Sequence, residues 1–116
     1  MLAEMQAVAA AATPPAELRL VYIPTACEIA LGAPVEPGVC SGPPPADREA
    51  LRGICDRLGI PLLDLGAPLA AAWSASPERG AHGEPVYFAH DGHWTALGHA
   101  LVAREIERAW SPGSIR

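Results

Sequence analysis

The chain has 116 residues, room for one domain at most. Half of them are hydrophobic, enough for a core, although alanine swells that fraction while burying little area per residue. The net charge of -5, with all eight cations arginine, removes the electrostatic case for nucleic acid or an anionic membrane as partner.

Thirteen prolines and eleven glycines predict long irregular connections. Three widely spaced cysteines, Cys27, Cys40 and Cys55, contain no CxxC pair and so no zinc pattern. Their odd count makes no closed disulfide framework and leaves a single bridge, such as Cys27 to Cys40, open. No segment reaches a membrane-spanning length. The leading MLAEMQAVAAAA lacks basic residues and carries Glu4 within its apolar run, a poor signal peptide.

Leu2, Met5, Val8 or Ala9, and Ala12 recur at helical spacing, predicting a helix over 2–12 that ends at Thr13-Pro14-Pro15, within a helical extension covering 1–16. This extension is structural, or a contact between copies. LRLVYI (18–23) reads as a strand closed by Pro24, and its unbroken hydrophobicity predicts cover on both faces, as in a parallel sheet. Thr25 and Glu28 have capping-box spacing for a short helix through about Leu31. Residues 32–46 form a proline- and glycine-rich loop without periodicity, a surface excursion or a binding rim. Asp47 is the expected cap of a helix over 47–58, with Leu51, Ile54, Cys55 and Leu58 on its apolar face and Gly59 as its stop. IPLLDL (60–65) is a second buried strand. A helical turn or two follows over 67–73, then a polar loop over 74–84.

Val86, Tyr87 and Phe88 suit an extended segment. A polar turn follows that concentrates His90, Asp91 and His93, with His99 one helical turn further on. Thr95 is the expected N-cap of a last helix whose apolar face carries Leu97, Leu101, Val102, Ile106 and Ala109 or Trp110. Arg104, Glu105, Glu107 and Arg108 fall mostly on the other side. The alternation of elements predicts an α/β layer with a short parallel sheet. Two or three strands make a meagre sheet, to be completed by a second copy or by strands outside this sequence.

Chemistry concentrates at the turn. Asp91 two places before His93 can fix an imidazole tautomer while the other ring nitrogen shuttles a proton. The bland alternative is a polar turn in which Asp91 and Thr95 cap the helix and His93 is solvated. His90, Asp91, His93 and His99 also raise a metal site, though a helical histidine pair sits at i, i+4 and these do not. Asp64, at the end of the second strand, stands where α/β folds place functional groups, and its plain role is to cap the next segment. Glu28 reads as a capping residue.

The Asp91-Gly92-His93-Trp94 turn, Thr95 and Gly98 resemble the terminal block of SGNH/GDSL-type hydrolases. LVYIP (20–24) and IPLLDL (60–65) resemble that family's later strand–helix–strand. The Asp-x-His-Trp form is closer to the alginate O-acetyltransferase-like branch than to the usual Asp-x-x-His. The resemblance, covering about 18–110, implies part of a three-layer α/β/α, flavodoxin-like domain. It implies His93 as general base and Asp91 as its orienter. Trp94 is either a wall of an acyl or sugar subsite or packs against the sheet. The implied activity is hydrolysis or transfer of acyl groups, acetyl above all, on a carbohydrate or small ester, with no cofactor and no metal; relatives are often periplasmic or secreted. The sequence departs from the family in lacking the Gly-Asp-Ser block, the later glycine block and the Gly-x-Asn-Asp block. Ser41, in VCSG, is the nearest thing to a nucleophile and stands in no strand-to-turn context. The chain is therefore expected to be a partial domain holding base and orienter, its serine and N-terminal half missing. The alternative is a non-catalytic α/β module that works through self-association or a partner.

Overall fold

A computed structural model describes residues 1–29, 46–75, 86–88 and 93–111. It is a mixed arrangement of helices around a two-stranded parallel sheet. In chain order come α1 (Leu2–Ala11), β1 (Leu20–Tyr22), α2 (Ala26–Ile29), α3 (Ala46–Leu58), β2 (Leu62–Asp64), α4 (Gly66–Ala75) and α5 (Ala96–Trp110). No helix among the described residues is long and apolar enough to cross a membrane.

The strands pair in register, Leu20 with Leu62, Val21 with Leu63 and Tyr22 with Asp64. Backbone bonds from Leu20 N–H to Pro61 O and from Leu65 N–H to Tyr22 O extend the ladder at each end. Side chains alternate across a strand. Val21 and Leu63 accordingly face the main core, formed with Ala26 and Ile29 of α2, Leu69 and Trp73 of α4, Val86 and Tyr87, and Leu101 and Val102 of α5. Tyr22 and Asp64 face the other way, where Arg48 of α3 meets both.

Several local signals act as their chemistry dictates. Gly59 takes a φ of 65°, and Gly59 N–H to Asp56 O with Ile60 N–H to Cys55 O close α3 in a Schellman turn. The capping box also forms. Glu28 N–H donates to Thr25 Oγ1 at 3.3 Å, and Thr25 N–H donates to a Glu28 carboxylate oxygen at 2.7 Å. Thr95 caps α5, its hydroxyl accepting from Gly98 N–H at 3.2 Å. Cys55 is buried and free, whereas Cys27 is disulfide-bonded.

Other expectations are corrected. The strands are shorter than 18–23 and 60–65, and every residue in them is half-buried rather than covered on both sides. Two strands offer helices too little width for full cover. Ile23 lies outside β1 and is exposed. Asp47 is not the cap of α3, which begins one residue earlier, at Ala46. Helix α4 runs through Ala75, taking in Ser74, which was expected in a loop. On α5, Leu97 is 54% exposed and Glu105 is buried, the reverse of the predicted faces. Arg108 reaches back one turn to pair with Glu105 at 2.8 Å. Helix α1 buries no residue: Met5 and Val8 face solvent, and Gln6 ties it to the end of α3 by a bond from Nε2 to Leu58 O at 3.0 Å. At the other end of the chain Arg19 lies over the Trp110 ring, 5.6 Å from its centre, joining α5 to the approach of β1.

Candidate functional site

The carboxyl-terminal ends of β1 and β2 open onto a cluster of polar side chains, the place where an open α/β sheet leaves room for chemistry. Asp64 ends β2. Its two oxygens accept a bidentate pair from Arg48, Nε at 2.7 Å and Nη2 at 2.8 Å, and one also accepts from Arg52 Nη2 at 2.7 Å. The same carboxylate accepts from Gly66 N–H at 2.8 Å, so the expected capping role of Asp64 is present and forms only a quarter of its bonding. The Arg48 guanidinium also lies 5.6 Å from the centre of the Tyr22 ring, and the Tyr22 hydroxyl donates to Glu28. Gly66 makes room for this arrangement, because a Cβ there would stand 2.7 Å from Arg48 Cζ.

Burial opposes the charge on Asp64, but hydrogen bonds from Arg48 and Gly66 and the nearby guanidinium charge outweigh it and hold the carboxyl below its usual range. Glu28 is likewise held low, burial being outweighed by the hydrogen bonds from Tyr22 and Thr25. Both folded-state values lie below the unfolded ones, so the stability these groups confer is complete above about pH 4 and drains away as pH falls through the depressed values. Asp64→Asn is expected to cost about 2 kcal/mol at neutral pH and to flatten the acid limb of stability. Urea midpoints from pH 6 down to pH 2 check both. Tyr22 shows the opposite sign. Burial, the bond to Glu28 and the charge of Glu28 push the phenol up to about 12. Its contribution is therefore whole below about pH 10 and lost as pH climbs toward the raised value. Tyr22→Phe should remove that alkaline limb, followed by the same denaturation at pH 9 to 12.

The segment bearing the predicted base is anchored to the same edge. Phe88 N–H donates to His93 O at 2.8 Å and Thr95 N–H to Val86 O at 2.9 Å, with Tyr87 and Trp94 opposed in an antiparallel bridge. The Tyr87 hydroxyl donates to the carbonyl of Pro24, two residues past the end of β1. His93 is exposed at the foot of this narrow hairpin, just before α5. Trp94 is half-buried, packs on the core, and meets the ring of His99 edge-on at 5.2 Å. Asp91 and His90, and with them the predicted Asp91–His93 contact, lie outside the described residues, as does Ser41. Among the described residues no group of three His, Cys, Asp or Glu side chains is disposed to hold a metal ion.

The arginine clamp and the tyrosine anchor were not singled out in the sequence. One signal for Arg48 was available: a cation in the first turn of a helix opposes the helix dipole, which argues for a tertiary partner. Tyr87 gave no such sign, since its acceptor is 63 residues away.

The fold and edge cluster thus define the chain as an α/β protein with its polar groups at the carboxyl end of a short parallel sheet. No family model, curated protein or solved structure matches the chain.

Proposed function

We propose that this chain is the base-bearing part of an SGNH-type acyl-ester hydrolase or O-acyltransferase, built on a three-layer α/β/α plan. The observation that carries the reading is the bond from the Tyr87 hydroxyl to Pro24 O, which seats the hairpin before His93 at the carboxyl end of β1. Helix α3 on one side of the sheet and α2, α4 and α5 on the other fit the layered plan.

In this mechanism His93 takes the proton of a serine hydroxyl as that oxygen adds to the ester carbonyl. It then delivers the proton to the departing alcohol, leaving the acyl group on the serine. In the second half the same imidazole takes the proton of water or a carbohydrate hydroxyl as that oxygen adds to the acyl-serine, and returns it to the serine oxygen as the acyl group departs. Asp91 accepts from the other ring nitrogen and fixes the tautomer. Trp94 lines the subsite beside them, and the serine comes from residues outside this sequence. The test is turnover of p-nitrophenyl acetate and of an acetylated oligosaccharide by the natural protein in which this sequence occurs, with and without His93.

A second reading rests on a different observation. Among the described residues the sheet has two strands, both half-exposed, and Ile23 and Val8 face solvent. A non-catalytic module that associates through the sheet would cover them. Light scattering behind size-exclusion chromatography tests it: a monomer at all concentrations counts against it by removing self-association through the sheet.

A further inference from the structure

Between the two halves of the edge site lies a set of bonds around Tyr87, of which the acyl-transfer reading uses only the one to Pro24. Tyr87 is almost wholly buried, and its phenol bonds to neutral partners: the hydroxyl donates to Pro24 O and takes a hydrogen bond from Trp94. Trp94 is the residue after His93 and is held on its other side by the edge of His99. Close behind, the first turn of α5 presses on the same strand, since a Cβ on Gly98 would stand 3.1 Å from that of Trp94 and 3.2 Å from Val86 C. The main chain at 93–95 is tied to 86–88 by the two bonds that flank the Tyr87–Trp94 bridge, and Tyr87 in turn is tied through its hydroxyl to Pro24.

We infer that Tyr87 is a positioning residue, its hydroxyl the pin that sets where the His93–Trp94 segment stands at the carboxyl end of β1. The inference rests on the acyl-transfer reading for its consequence in turnover, and on the hydrogen bonds alone for its mechanical part. A buried tyrosine used only for packing would be replaced by phenylalanine without loss, because the ring carries the apolar area. Here the hydroxyl is the only polar link between the hairpin and the end of β1 among the described residues. A base displaced by about 1 Å can lose on the order of a hundredfold in rate, while substrate binding elsewhere is unaffected.

Tyr87→Phe in the natural full-length protein tests it, read by amide exchange and by steady-state turnover of p-nitrophenyl acetate. Exchange at Phe88 and Thr95 is expected to quicken about tenfold while the Cys55 amide in α3 is unchanged. On the same variant kcat should fall about 10- to 100-fold with KM within about twofold. Unchanged exchange at Phe88 and Thr95 overturns the inference, as does quickened exchange spread evenly over the chain, which is general destabilisation. Local quickening with kcat untouched, in a protein that His93→Ala silences, also overturns it. If His93→Ala is as active as the natural protein, the hydrolase reading fails, and the exchange pattern alone decides whether the pin exists. Should Tyr87→Phe not fold, Trp94→Phe, which removes the indole donor together with part of the ring, is read the same way, with a smaller local quickening expected and none overturning the inference.

Discussion

Gly98→Ala is expected to destabilise the protein by about 3 kcal/mol, a large share of the stability of a domain this size. The added methyl would collide with the carbonyl oxygen of Val86 and crowd Val86 C at 3.2 Å. That oxygen is the acceptor of Thr95 N–H at 2.9 Å, so it cannot retreat without opening the hairpin. Nor can the helix retreat, because Leu101 and Val102, one turn on, are buried in the core. The contrast is Gly66→Ala. There the obstruction is the far end of Arg48, a flexible side chain that can swing aside at the expense of its bonds to Asp64. A loss of about 1–2 kcal/mol is expected, most of it also seen in Arg48→Met. Urea denaturation of the four proteins ranks them. A Gly98→Ala midpoint at or above that of Gly66→Ala would mean that α5 and Val86 stand further apart than described.

His93→Ala is expected to lower acyl-ester turnover on the order of 10^4-fold or more in the natural protein, and Asp91→Asn by about 10^3- to 10^4-fold. The two effects should not add. Once the imidazole is gone, the carboxylate has nothing to orient. A double variant as slow as His93→Ala, and no slower, is the signature of a unit. Because p-nitrophenyl acetate reacts with imidazole unaided, the comparison is made against free imidazole at the protein's concentration. His99→Ala is the control on the same segment. It loses the edge contact to the Trp94 ring and is expected to change turnover less than about tenfold. Equal activity of wild type and His93→Ala removes the acyl-transfer reading and leaves association through the open sheet.

Local chemistry made much of the chain legible. Gly59 stops α3, Thr25 and Glu28 cap α2, and Thr95 caps α5, because each of these bonds is made between residues within five positions of one another. Burial of Cys55 followed in the same way from its place on the stripe of α3. The face of α5 did not. Its periodicity offers Leu97 and Ile106 equally, but the close approach of Gly98 to Val86 turns the first turn of the helix against the hairpin and leaves Leu97 outside. Glu105, expected on the other side from the apolar face, is buried there and pairs with Arg108.

The sequence by itself therefore determined the kinds of element, their order and the ends at which a cap or stop is built into the chain. Tertiary structure alone decided the width of the sheet, which side chains its open end gathers, and which residue holds the hairpin there. The physical reason is reach. Caps and stops are bonds along the chain, whereas Arg48 to Asp64, Tyr87 to Pro24 and Gly98 to Val86 are contacts across it, and they exist only once two strands have found their register.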